Sequence, residues 1–109
     1  MNILGEVKGK NAIIIDDIVA TAGSLVEAAG ALKKAGAGDI YAAITHPVLS
    51  GPARKRIESS HIKKLFVTNT IPMNGARKHP KIKPLSIAPL LAEAIKRIHN
   101  EESISCLFD

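Results

Sequence analysis

Apolar positions in this chain fall into short β-branched runs separated by segments of helical period. Residues 11–16 are a near-continuous run around Ile13, Ile14 and Ile15, the mark of a strand with little solvent exposure. Residues 24–35 then carry apolar side chains at Leu25, Ala28, Ala29 and Leu32, one face of a helix. Ser24 with Glu27 three places on predicts a capping box at its start, and Gly36 and Gly38 predict its stop. A second strand is expected over 40–45, ending at His46-Pro47, and a short helix over 52–59 with Pro52 in its first turn. A third strand, 64–68, leads into the turn Asn69-Thr70-Ile71-Pro72. Residues 73–81 are polar, basic and punctuated by Gly and Pro, which predicts a surface loop. A fourth strand over 82–85 precedes a helix over 88–99, with Leu90, Leu91, Ala94, Ile95 and Ile98 on one face. Residues 103–109 form a tail.

Strands alternating with helices at this spacing predict an α/β fold with a mainly parallel sheet. Ligands of such sheets sit beyond the carboxyl ends of the strands. Three loops should share that edge: 17–23, 46–51 and 69–75.

The first of these carries the chemistry. Asp16 and Asp17 close the first strand, and Thr21, Ala22, Gly23 and Ser24 lead into the helix. Adjacent carboxylates suit sugar hydroxyls or a divalent cation, and small residues at a helix N-terminus suit a phosphate. A sugar phosphate meets both requirements. Neighbouring strand residues point to opposite faces, so both acids converge only if the strand ends between them. Adjacent acids after a strand also make an ordinary helix-entry turn.

Composition narrows the class. With 109 residues the chain is expected to be a single domain, 1–109. One Tyr, two Phe and no Trp leave the core to Ile, Leu, Val and Ala. The formal charge of +5 is dispersed and lacks aromatic interleaving, so no nucleic acid is expected as partner. No apolar run is long enough to span a membrane. The single Cys106 rules out an internal disulfide, which fits a cytoplasmic setting. With no basic group adjacent in sequence, Cys106 reads as a packing residue rather than a nucleophile. His46 reads as a strand-end residue, and the cluster Arg77, Lys78, His79, Lys81 and Lys83 as a solvated basic loop.

The loop Asp16-Asp17-Ile-Val-Ala20-Thr21-Ala22-Gly23-Ser24 resembles the ribose-phosphate loop of phosphoribosyltransferases. Thr45-His46-Pro47-Val-Leu-Ser50-Gly51, Val67-Thr68-Asn69-Thr70-Ile71-Pro72 and the segment 91–108 narrow the likeness to the C-terminal domain of ribose-phosphate pyrophosphokinases. The resemblance covers essentially the whole chain. It implies a three-layer αβα sandwich of the phosphoribosyltransferase type, one of two such domains in the family's subunit. It further implies transfer of diphosphate from ATP to ribose 5-phosphate, with Mg²⁺, for nucleotide biosynthesis.

By that resemblance, Asp16, Asp17, Ala20, Thr21, Ala22, Gly23 and Ser24 bind ribose 5-phosphate, with Asp17 near the metal. Ser103, Ser105 and Phe108 correspond to an allosteric phosphate or ADP site between subunits. The ATP-holding residues and the mobile catalytic lysine–arginine loop are expected upstream, so no catalytic residue is assigned here and ATP enters through a missing domain. The chain alone is then expected to be inactive and, with its partner surface bare, to form a homo-oligomer. The family's pattern is Asp-Asp-x-x-Asp-Thr, and this chain has Ala20 where the third acid stands. That departure favours the alternative, a non-catalytic pyrophosphokinase-like regulatory or interaction module. A small independent phosphoribosyltransferase is disfavoured, because no hood or nucleobase-binding segment accompanies the domain.

Overall fold

The computed structural model describes residues 3–108; Asp109, the last residue of the expected tail, lies outside them. Four strands, β1 (Ala12–Val19), β2 (Ile40–Pro47), β3 (Ile62–Thr68) and β4 (Ile82–Leu85), form one parallel sheet in the order β1-β2-β3-β4. Helix α1 (Gly23–Lys34) joins β1 to β2, α2 (Ala53–Glu58) joins β2 to β3, and α3 (Ala88–His99) follows β4. Crossovers of one hand between sequential neighbours place α1 and α2 on the same face of the sheet.

That face holds the core. The register aligns Ile14, Ala42, Leu65 and Ile82 across the four strands. Over them pack Leu25 and Ala29 of α1 and Ala53 and Ile57 of α2. Ile40, Ala42, Ile62 and Leu65 are fully buried. Burying such side chains is worth about 1.5–3 kcal/mol each for the larger ones. The aliphatic core expected from the near-absence of aromatics is what forms.

The other face is bare. Ile13 and Ile15 on β1 are 66% and 80% exposed, and Leu85 on β4 is 59% exposed. Helix α3 has the expected apolar stripe, yet Leu90, Leu91, Ile95 and Ile98 remain exposed and none of its residues is buried. The α/β class and the parallel sheet are as the sequence implies, and two layers of the sandwich are packed. The flat shape follows: the extents are 50 × 36 × 20 Å and the radius of gyration is 16.3 Å. A compact chain of this length would have about 13 Å.

Local chemistry explains the element boundaries. Helix α1 ends with Gly36 at φ +94°, Gly36 N–H on the Lys33 carbonyl and Ala37 N–H on the Leu32 carbonyl, both 3.0 Å. This is the glycine stop the sequence predicts. At the other end the expectation fails. Ala22, at φ 65°, takes the cap position, α1 begins at Gly23, and no side chain caps it, so the Ser24–Glu27 capping box does not form. Asn11 is a clamp rather than the first strand residue: its Oδ1 accepts the Asp39 N–H at 2.9 Å. Pro52 sits at the cap of α2 instead of inside its first turn.

Strand β1 also runs through Asp16 and Asp17 to Val19 instead of stopping at the acids. Both are exposed, so carboxylates at this sheet edge meet water and need not break the ladder.

Candidate anion site at the β1–α1 loop

Beyond the carboxyl ends of β1 and β2 lies a cavity of about 240 Å³. Six of the seven expected sugar-phosphate residues line it: Asp16, Ala20, Thr21, Ala22, Gly23 and Ser24. Asp17 does not. Strand alternation puts it on the face of Ile13 and Ile15, because the strand does not end between the two acids. Asp16 Oδ1 accepts the Asp17 N–H at 2.8 Å, while the Asp17 carboxylate accepts no hydrogen bond from the described residues.

The loop is held from one side. Leu49 N–H donates to the Val19 carbonyl at 3.1 Å, Ser50 N–H to the Ala20 carbonyl at 2.9 Å, and Arg56 Nη1 to the Thr21 carbonyl at 3.1 Å. In a trans peptide the carbonyl of one residue and the N–H of the next point opposite ways. Fixing carbonyls 19, 20 and 21 toward the β2–α2 segment therefore turns the N–H groups of Ala20, Thr21 and Ala22 away from it. Helix α1 adds three more, since its first bond is Val26 N–H to the Ala22 carbonyl, 3.0 Å. Among the described residues no protein acceptor meets any N–H from Ala20 to Leu25. Six successive free donors at a helix N-terminus are chemically suited to an anion.

Ala22 in the left-handed region is strained for a residue with a Cβ, at about 1–2 kcal/mol. It is nonetheless buried, at 3% exposure. At Gly23 an added Cβ would come 3.3 Å from Arg56 Nη1, so glycine leaves room for the guanidinium. Sequence reasoning missed Arg56 together with Leu49 and Ser50. Nothing along the chain separates Arg56 from Arg54 and Lys55 beside it; only the packing of α2 against α1 does. The apolar wall of Ile18, Leu25 and Ile44 was also missed.

The other expected sites divide. His46 Nδ1 lies 3.0 Å from Thr70 Oγ1, and the Thr45 carbonyl accepts from Thr68 Oγ1 at 2.6 Å and Thr70 Oγ1 at 3.2 Å. His46 is thus a strand-end residue joining the ends of β2 and β3. The basic segment is anchored rather than freely solvated. Arg77 Nε donates to the Val48 carbonyl at 3.0 Å, and Lys81 Nζ to the carbonyls of Ile57, Glu58 and Ser60 at 3.3, 2.9 and 3.2 Å.

The tail is organised by Arg97. Its Nε donates to Glu93 Oε1 at 3.0 Å, and its Nη1 reaches the Ser103 carbonyl at 3.3 Å and Cys106 Sγ at 3.2 Å. The hydrogen bond it donates to Glu93 and the nearby Cys106 hold the guanidinium above its ordinary range. Ser103 Oγ and Ser105 Oγ are 2.9 Å apart, and Phe108 is exposed. Cys106 is exposed, not packed as the sequence suggested. The described residues include no group of three or more His, Cys, Asp or Glu able to hold a metal ion, and no helix long and apolar enough to cross a membrane.

A parallel α/β domain with a run of free N–H groups between its first strand and first helix is the class that fold and site define. The chain belongs to the phosphoribosyl synthetase-associated domain family, whose model matches residues 1–109. It is similar to the ribose-phosphate pyrophosphokinases of Staphylococcus haemolyticus (strain JCSC1435), 59% identical over 109 residues, and Staphylococcus aureus (strain N315), 57% identical. In both matches all of this chain aligns with 34% of the relative. The crystal structure of phosphoribosylpyrophosphate synthetase from Mycobacterium smegmatis superposes with a TM-score of 0.86 at 40% identity, covering 90% of this chain and 33% of that one. The chain thus spans about a third of the length of these proteins.

Proposed function

We propose that this chain is the ribose-5-phosphate-binding part of a ribose-phosphate diphosphokinase, which moves diphosphate from ATP to ribose 5-phosphate for nucleotide biosynthesis. The observation that carries this reading is the run of six free N–H groups, residues 20–25, around a cavity with Asp16 at its rim. A phosphate dianion takes the N–H groups, and Thr21 and Ser24 add hydroxyl donors. The ribose hydroxyls donate to the Asp16 carboxylate. Each helix-terminus term is worth about 0.3–1 kcal/mol, so several together hold a sugar phosphate without a lysine.

Mg²⁺ suits the donor chemistry, because it favours one or two carboxylates with waters and substrate oxygens over a full protein cage. Asp17, whose carboxylate accepts no hydrogen bond among the described residues, would hold it on the Ile13–Ile15 side of the strand, and the ion when bound would supply positive charge there. The chain's own residues bind and orient: with both ends of the sugar fixed, the anomeric hydroxyl is held for in-line attack. ATP would be bound by parts of the relatives outside the matched third, so the chain alone is inactive and holds no catalytic residue. The setting is cytoplasmic. Ser103, Ser105 and Phe108, braced by Arg97, would form one side of a phosphate- or ADP-binding regulatory site. The partner is a second copy of the chain. Among the described residues strand β1 ends the sheet with a free edge eight residues long beside exposed Ile13 and Ile15, which lets a second copy continue the sheet and cover apolar surface.

A second reading, a non-catalytic pyrophosphokinase-like module, is favoured by Ala20, which removes one side-chain acceptor from the loop. Calorimetric titration with ribose 5-phosphate, with and without Mg²⁺, separates the two. Binding that Asp16→Ala abolishes supports the first reading. A folded chain that binds nothing supports the second.

A further inference from the structure

We infer that Arg56 is a positioning residue for the anion cradle, holding the Ala22 N–H toward the bound phosphate and adding a positive charge behind the loop. The inference rests on the sugar-phosphate reading of the β1–α1 loop and adds to it a group from a different element. Carbonyls 19 and 20 are fixed by the backbone N–H groups of Leu49 and Ser50, which no substitution other than proline removes. The carbonyl of Thr21 is fixed by a side chain alone, Arg56 Nη1 at 3.1 Å. That carbonyl belongs to the peptide whose other end is the Ala22 N–H, and Ala22 is the left-handed residue that turns the loop into α1.

Three observations converge on this one guanidinium. It anchors the peptide that leads into left-handed Ala22. It lies 3.3 Å from where a side chain at Gly23 would begin, so it occupies the space beside the first turn of α1. The residues lining the cavity include no Lys or Arg, so the Arg56 guanidinium, on the α2 side of the loop, adds positive charge behind a cradle of backbone N–H groups and the Thr21 and Ser24 hydroxyls. Arginine suits the task because its planar, permanently charged fork holds a carbonyl in a fixed geometry. Its neighbour Arg54 is committed elsewhere, with Nε on the Lys78 carbonyl at 2.8 Å.

The test compares Arg56→Ala, Arg56→Lys and the control Arg54→Ala in the 109-residue chain, following the backbone amide resonances of residues 20–25 in the free protein and then titrating inorganic phosphate and ribose 5-phosphate. Arg56→Ala is expected to move the Ala22 and Gly23 amide signals while those of β2 and β3 stay in place. Affinity for both ligands should fall on the order of tenfold, as for loss of a charged hydrogen-bonding group. Arg56→Lys should restore part of it. A purely structural role would lower thermal stability without selecting these amides and without rescue by lysine. Unmoved Ala22 and Gly23 signals, or a loss of affinity no larger than in Arg54→Ala, would overturn the inference. If the wild-type chain binds neither ligand, the sugar-phosphate reading fails, and the amide signals still decide whether Arg56 sets the loop.

Discussion

Ser50 N–H donates to the Ala20 carbonyl at 2.9 Å, so the backbone of the loop is fixed at the position where the family resemblance places an acid. What the chain lacks there is a side-chain acceptor and not a backbone conformation. Ala20→Asp should therefore leave the cradle's geometry alone and add a hydrogen-bond acceptor for a sugar hydroxyl. The expected result is about a tenfold gain in ribose 5-phosphate affinity, with none for inorganic phosphate. Calorimetry with both ligands checks it, and an equal change for the two would rule out a role in gripping the sugar.

Lys81 caps α2 from a distance in sequence. Its ammonium serves the Ile57, Glu58 and Ser60 carbonyls, the end of a helix only six residues long. Lys81→Met keeps the aliphatic stem and removes all three bonds. A loss of about 1–2 kcal/mol is expected, which lowers the Tm of a domain this size by roughly 5–10 °C. Thermal unfolding monitored by circular dichroism measures this. A shift within error would mean that water replaces the ammonium at no cost.

Gly38 is fixed by space rather than by backbone angle. A Cβ there would stand 2.7 Å from Asn11 Oδ1, the atom that accepts the Asp39 N–H. Gly38→Ala is expected to cost about 1–3 kcal/mol, as overpacking usually does. Asn11→Ala removes the obstacle, so the double variant should be less destabilised than the sum of the two singles. Strict additivity in urea denaturation would show that the contact relaxes freely.

The sequence made the layout legible because local signals there agree with the fold. Glycine at 36 stops α1, a β-branched run makes β1, and small residues open the loop into α1. It misled where tertiary contacts decide. Two acids read as a strand end, yet β1 is an exposed edge that tolerates them through to Val19. Ser24 and Glu27 match a capping box, but Ala22 in the left-handed region starts the helix before Ser24 and leaves its first N–H groups free. The basic residues of 77–81 read as solvated, whereas Arg77 and Lys81 find carbonyls far away in sequence. Arg56 could not be singled out at all, since its partner Thr21 lies 35 residues earlier.

The bare sheet face bears on association. Ile15 is 80% exposed on β1, beside Ile13 on the same strand face, and the outer edge of β1 pairs with no strand among the described residues. An unprotected apolar edge strand is a site of chain-to-chain pairing. The chain should therefore self-associate in sedimentation velocity as concentration rises. Ile15→Glu puts a charge on this surface without touching the core, so its effect on the stability of the monomer should stay within about 0.5 kcal/mol. The same substitution should shift the sedimenting species toward monomer. A wild-type chain that stays monodisperse and monomeric at high concentration would show that the face is tolerated in water, and the second-copy reading would fall with it.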